Sequence, residues 1–333
     1  MDCLGQELSK LQFTNDELDQ CSKWLQTLTP QEKLIVGLED TNGHGIHLSR
    51  YLSKQGFNLQ YVPAILTQRE RKHSVHHDKS DYLDAKRVGK VIITKVDETL
   101  PATDILAQSP SYIRELDLLL QERSELVREQ TALKNQLHVL LHQHYGNNYK
   151  REFKNIFSQS SLSWYKQDVN QTQSSVSASI VRRIDRLNLT STQITDITKQ
   201  LKTTDKTIPG VKALTEKLTG CGNLTACKIV AEIGTVSRFS SKPSLAKYAG
   251  IAPVKKQSSN SNKYYSNSGG NRKLNQAIHT IALSQIGVVG YPPAKEYYQK
   301  KLKEGKSKLW ALRCLKRHVI NKVFVILKNT SVN

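Results

Sequence analysis

From Tyr112 to about His144 the chain has neither Pro nor Gly and is rich in Leu, Glu, Arg and Gln. Leu116, Leu119, Leu120, Leu126, Leu133, Leu137, Leu140 and Leu141 recur there at helical spacing. The pattern predicts one long amphipathic helix, which needs a partner along its apolar stripe. Ser175 to Leu201 is a second helical stretch and the natural partner. A helical hairpin within one domain and a dimerising coiled coil both satisfy the pattern, so it leaves the choice open.

On the N-terminal side, Leu34 to Gly37 is a short apolar run that ends at Glu39 and Asp40. A second run, Leu59 to Pro63, follows Ile46, Leu48, Tyr51 and Leu52 at helical spacing. Strand, helix, strand in this order predicts an α/β unit with a parallel pair. Thr67 to Lys79 is polar and basic, reads as an exposed loop, and carries His73, His76 and His77 as solvated residues rather than ligands. Ser80 fits an N-cap. Asp81 and Asp84 then share one face near the helix start, where the dipole favours carboxylates.

On the C-terminal side, Thr207-Ile208-Pro209-Gly210-Val211 opens a new region, and Leu224 to Ile233 reads as a helix ending at Gly234. A Pro-Gly turn before small-residue helices fits a helix-hairpin-helix element, as a weak lone signal. Lys255 to Gly270 is polar and is expected to be a flexible loop. Asn271 to Gln285 and Ala294 to Leu327 return to helix.

The chain's 333 residues suit two domains and a helical spacer. Ser241 to Asn333 holds 18 Lys and Arg against 2 Asp and Glu, +16 of the net +20. Such a surface attracts a polyanion, and nucleic acid is the usual one. Cys3, Cys21, Cys221, Cys227 and Cys314 are odd in number and scattered, which suits a reducing cytoplasm better than a disulfide framework, and Cys221 and Cys227 read as buried thiols. No apolar run reaches the length of a membrane span and the start has no signal-peptide pattern, so a cytoplasmic protein without a membrane partner is expected.

Two sets of residues can carry chemistry. Glu39, Asp81 and Asp84 are carboxylates on distant segments, the arrangement with which nucleases hold divalent cations. On spacing alone, an Asp pair at i,i+3 is more commonly solvated or capping. Ser258 and Ser259 lie in a basic stretch with Lys255, Lys256 and Lys263. A serine attacking phosphate needs nearby cations and a proton acceptor; a polar loop touching phosphate needs only the hydroxyls and lysines. Tyr264 and Tyr265 suit base stacking or anchoring of the loop. Arg313, Lys316 and Arg317 form a basic helix face suited to phosphate, as does Arg272.

Taken in order, the motifs resemble the IS110 family of insertion-sequence transposases. Gly37-Leu38-Glu39-Asp40-Thr41-Asn42-Gly43-His44-Gly45 resembles the end of the family's second acidic strand, and Lys79-Ser80-Asp81-Tyr82-Leu83-Asp84-Ala85 its Lys-Ser/Thr-Asp-x-x-Asp-Ala motif. Ile208-Pro209-Gly210, Phe239, Tyr248-Ala249-Gly250-Ile251-Ala252-Pro253, Ser258-Ser259-Asn260, Gly270-Asn271-Arg272-x-Leu274 and Ala311-Leu312-Arg313-Cys314-Leu315-Lys316 follow in family order. The resemblance implies an α/β plus α chain. It would hold an RNase H-like (RuvC-like) domain over 1–108, a helical coiled-coil spacer over 109–203, and a mostly helical transposase domain with a serine loop over 204–333.

It further implies a DNA transposase or site-specific recombinase that works on double-stranded DNA with an element-encoded bridge RNA, as a dimer or tetramer. Glu39, Asp81 and Asp84 match three of four acids that hold Mg²⁺ in a two-metal site. Ser258 matches the nucleophile, with Ser259 the neighbouring alternative. The family's first Asp sits on an opening strand that has no counterpart before Gln6, and Asp2 is too exposed and too early to replace it. The expectation is therefore a chain truncated at its N-terminus or begun at the wrong codon, and impaired in metal-dependent cleavage. An in-frame strand with Asp in the upstream DNA would support this, and full recombination by a protein of this length would refute it. Two other functions compete: a nucleic-acid-binding relative without catalysis, and a junction-resolving nuclease that uses the acids alone.

Overall fold

The structure, a computed structural model, describes the chain except residues 29, 31–32, 40–44, 74–79, 97–98, 102–110, 151–152, 173, 259–260, 266, 268 and 331–333. At residues 46, 100–101, 111, 205, 255–258 and 261–264 it describes the backbone alone. The described residues are mostly helical and fall into two compact units: Met1–Ser111 with Gly234–Ser240, and Tyr112–Ile233 with Ser241–Asn333.

The first unit is α/β. Its elements run α1 (Leu18–Leu28), β1 (Ile35–Glu39), α2 (Ile46–Lys54), β2 (Asn58–Val62), α3 (Ala64–His73), α4 (Asp81–Lys95) and β3 (Leu100–Pro101). β1 and β2 are parallel, in register from Ile35↔Asn58 to Glu39↔Val62, and β3 adds antiparallel to β2. Alternation along β2 sends Leu59 and Tyr61 to a core with Cys21, Leu25, Leu52 and Phe57. Val62 joins Leu66, Val88 and Val91 in a second core under α3 and α4. The predicted parallel pair is present. The stretch from Thr67, expected to be a loop, instead continues α3 as far as His73, because Leu66 and Thr67 are buried and anchor the helix. His76, His77 and Lys79 lie outside the described residues.

Gly37 decides how close α4 comes to the sheet. A Cβ there would meet Val88 Cγ1 at 2.8 Å and Ile92 Cγ1 at 2.9 Å. Only a residue without a side chain lets α4 lie this close to β1, and α4 begins with the two aspartates. Its start is fixed by Ser80, whose hydroxyl accepts from the Leu83 amide at 3.2 Å, the cap that the sequence predicts.

The second unit opens with α5 (Ser111–Tyr145), a short 3₁₀ turn (Gly146–Lys150), α6 (Gln159–Val169) and α7 (Ser175–Thr207). α5 and α7 pair antiparallel within the chain. Arg123 donates to Thr198, Gln130 to Ser191, Arg186 to Glu129 and Arg183 to Gln136, partners that run in opposite directions along the two helices. At one end Leu133, Leu137 and Leu141 bury against Leu162, Tyr165, Ile180 and Ile184. Thus at least part of the leucine stripe is covered inside the chain.

The rest of the unit comprises α8 (Pro209–Lys217), α9 (Asn223–Ile233), α10 (Lys242–Tyr248), β4 (Val254–Ser258), β5 (Ser261–Tyr265), α11 (Arg272–Ile286), α12 (Pro292–Lys303) and α13 (Lys308–Thr330). α13 buries Ala311, Leu312, Leu315, Val319, Ile320, Val323 and Leu327. The predicted helix from Ala294 to Leu327 is two helices. Gly305 (φ +82°) ends α12, donating its amide to Leu302 while Lys306 donates to Lys301. The expected flexible loop from Lys255 contains an antiparallel hairpin, with pairs from Val254↔Tyr265 through Lys256↔Lys263 to Ser258↔Ser261. Its polar strands give no apolar alternation to read, since backbone pairing holds them together.

Candidate functional site

The acidic candidates meet in the first unit. Glu39 ends β1 and Asp84 lies in the first turn of α4; both line one cleft of about 330 Å³ with Ala64, Ile65, Thr67, Gln68 and Arg71. The Thr67 hydroxyl donates to Glu39 Oε1 at 2.5 Å. Arg87 Nη1 lies 2.6 Å from Asp84 Oδ1 and is itself buried. These neighbours fix the two carboxylates in place. Asp81 is exposed, one turn earlier on α4, and is not among the lining residues. Asp2 folds its carboxylate back on its own turn, where Oδ1 accepts from the Leu4 and Gln6 amides.

Hard cations want oxygen ligands, and Mg²⁺ is commonly held by one or two carboxylates plus water and phosphate oxygens. Glu39 and Asp84 fit one such ion. Among the described residues no group of three His, Cys, Asp or Glu side chains could hold a metal. A two-cation site therefore needs a further ligand, and Asp81 would have to turn inward to supply it.

The basic candidates divide between two places in the second unit. Lys255, Lys256 and Lys263 are on the hairpin, and Ser258 is the last paired residue of β4. Ser259 lies outside the described residues. Arg272, Arg313, Lys316 and Arg317 meet in a second cleft of about 720 Å³, whose wall includes Pro253 at the root of the hairpin.

Lys316 differs in setting from the other residues of the predicted basic face. It is buried, and its Nζ donates to Asn275 Oδ1. Asn275 in turn donates to the Ala249 carbonyl at 2.7 Å. Burial, with Arg313 adding repulsion, pushes the Lys316 ammonium down to about 8. Burial likewise lowers His279, with Lys316 contributing. Arg313 stacks over the Trp310 ring at 4.9 Å.

The Gly-Asn-Arg stretch is the scaffold of this cleft. Gly270 (φ +89°) lies so close to Gly250 that a Cβ would meet Gly250 N at 2.6 Å and Tyr248 O at 2.7 Å. Asn271 donates its amide to Tyr248 O and caps α11 by accepting from Leu274 N at 2.8 Å. Its Nδ2 donates to Glu232 Oε2 at 2.6 Å. Arg272 is thereby fixed at the first residue of α11. Sequence reasoning missed Thr67 and Arg71 in the acidic cleft and Asn275, His279 and Trp310 in the basic one. Thr67 and Asn275 reach their sites through contacts many positions away in sequence, to Glu39 and to Ala249 and Lys316, which no local motif records.

The helix-hairpin-helix element that Pro209-Gly210 suggests does not turn there, since Pro209 starts α8; two short helices, α8 and α9, follow one another instead. The turn between them is Leu218 to Gly222. Gly220 has φ +82°, Gln285 Nε2 donates to Thr219 O at 2.7 Å, and a Cβ on Gly222 would meet nothing within 4 Å. The Gly220-Cys221-Gly222 spacing was the signal available. Cys221 and Cys227 are buried free thiols, as expected, and so is Cys21; burial raises Cys221 to about 12. Among the described residues no helix is long and apolar enough to cross a membrane.

An acidic cleft in an α/β unit and a cation-lined cleft in a helical unit suit an enzyme of nucleic-acid strands, and comparison with known proteins gives the class. A DEDD-type model of IS110 elements, described as a transposase, matches residues 1–146. The model described as the transposase IS116/IS110/IS902 family matches residues 207–299. The chain belongs to this IS110/IS116 family of insertion-sequence transposases. It is 32% identical over 111 residues to the 43.6 kDa protein of insertion element IS110 from Streptomyces coelicolor, covering 33% of this chain and 27% of the relative. It is 27% identical over 138 residues to the 44.8 kDa protein of insertion element IS116 from Streptomyces clavuligerus, covering 41% and 34%. The chain thus spans about a quarter to a third of the length of these relatives.

Proposed function

We propose that this chain is a DNA transposase of the recombinase type, which cuts and joins strands for insertion-sequence movement. The observation that carries the proposal is the meeting of Glu39 and Asp84, from β1 and α4, in one cleft of a chain that belongs to this family. Residues 1–108 are read as an RNase H-like domain, 109–203 as a helical spacer, and 204–333 as the transposase domain with its serine. Glu39 and Asp84, with Asp81 as the further ligand, would hold Mg²⁺. When bound, the ion supplies positive charge beside phosphate oxygens.

Ser258 is proposed as the nucleophile. Its Oγ attacks a DNA phosphorus, a serine–phosphate bond forms, and the bond from phosphorus to a deoxyribose oxygen breaks. The serine proton passes to solvent or a nearby base, and the leaving oxygen takes up a proton as a hydroxyl. A hydroxyl on another strand reverses the step and joins that strand, releasing the serine. Lys255, Lys256 and Lys263 lie on the same hairpin and supply charge near the phosphate. Arg272, Arg313, Lys316 and Arg317 contact the nucleic acid from the basic cleft, and the Gly220–Gly222 turn offers backbone amides to a phosphate. A bridge RNA and a dimeric or tetrameric assembly belong to the same proposal, supported by family membership and the +16 charge of the C-terminal stretch. A cytoplasmic location accords with five free cysteines.

The test is a covalent protein–DNA adduct. Wild type is expected to form one that Ser258→Ala abolishes, with Ser259→Ala run alongside. Cleavage that survives Ser258→Ala but not Asp81→Ala would instead identify a nuclease using the acids alone. Binding without any cleavage would favour a non-catalytic relative. The ion pair of Arg87 with Asp84, which occupies one of the two cleft carboxylates, favours this non-catalytic reading.

A further inference from the structure

The basic cleft has features that diffuse phosphate attraction does not require. Lys316 is only 9% exposed, and its ammonium donates to the neutral Asn275 amide. Arg272 and His279 on α11 and Arg313 and Arg317 on α13 line the same space, and among the described residues no carboxylate does. A buried ammonium is costly without a counter-charge, so an anion beside Lys316 would offset its burial. The cleft is too large for a phosphate alone; at about 720 Å³ it lies in the range of pockets that enclose whole small molecules. Apolar side chains line it too: Leu309 is 69% exposed, and Trp310, next in sequence, is partly exposed. An anionic head attached to a flat, stackable body matches both halves.

We propose that this cleft receives one unpaired nucleotide, its phosphate on Arg272, Arg313 and Lys316 and its base against Trp310. This rests on the nucleic-acid reading above and specifies it. A base inside a duplex is stacked on both faces and cannot present a face to Trp310, whereas a base in a single strand or beside a nick can.

The test uses the full chain and measures binding of dye-labelled oligonucleotides: an unpaired DNA strand, an unpaired RNA strand, and a blunt DNA duplex. Trp310→Leu is expected to weaken at least one unpaired strand about tenfold, the scale of losing one base stack, and the duplex less than about twofold. Whichever of DNA and RNA is weakened is the source of the nucleotide. Arg313→Gln should show the same preference, and it carries the test if Trp310→Leu melts early. Equal weakening of unpaired strands and duplex, or no weakening, overturns the proposal. If the wild-type chain binds duplex and only the variants fail to discriminate, the broader function stands and this site falls. If the wild-type chain binds no nucleic acid, both fall.

Discussion

Lys316 must stay charged to grip a phosphate, yet the fold penalises its charge. Its folded value, about 8, lies below its ordinary 10.5. Between these values the unfolded chain holds more protons, so this group makes stability rise with pH across pH 8 to 10.5. Below pH 8 both states carry the charge and the penalty is constant. Cys221, raised from 9.0 to about 12, acts the opposite way above pH 9. The useful quantity is thus the difference between wild type and Lys316→Met. Urea midpoints should show the variant more stable at pH 7.5, with the gap narrowing towards pH 10; a variant less stable at every pH would refute the argument. At the acidic cleft, Arg87→Gln removes the cation beside Asp84. It should tighten Mg²⁺ binding in calorimetry several-fold if Asp84 is a ligand, and leave it unchanged if it is not.

Elements sit where they do because of a few contacts at their ends and crossings. Gly37→Ala places a methyl against Val88 and Ile92. It should cost about 1–3 kcal/mol as α4 is pushed from β1, seen as a lowered thermal midpoint of the first unit. Gly270→Ala combines a positive φ with backbone collision at Gly250, so it should cost at least about 2 kcal/mol in the second unit. The sequence made α5, α7 and the β1–α2–β2 unit legible because their apolar periods are long and regular. It also disclosed the α4 cap, since Ser80 and Asp81 are neighbours. The β4–β5 hairpin was not legible, because its strands are polar and only pairing defines them. Nor was the burial of Lys316, which is set by Asn275 forty-one positions earlier. Glu39 and Asp84 were identified by motif, but their meeting depends on the absent side chain of Gly37.

For the whole molecule, charge sets the scale of binding. With about four phosphates neutralised, affinity should fall about a hundredfold between 50 and 200 mM salt, and Arg317→Gln should reduce the log–log slope by about one. A slope near zero, measured by fluorescence anisotropy, would exclude the cationic wall as the binding surface. The thiols add a handle on both units at once. Cys21, Cys221 and Cys227 are buried; Cys3 is exposed in the first unit, and Cys314 is partly exposed in the wall of the basic cleft. A maleimide should therefore mark Cys3 first and Cys314 second, one label per unit. Nucleic acid seated in the cleft should slow the second reaction and leave the first alone, so the protein carries its own chemical footprint, with a built-in reference.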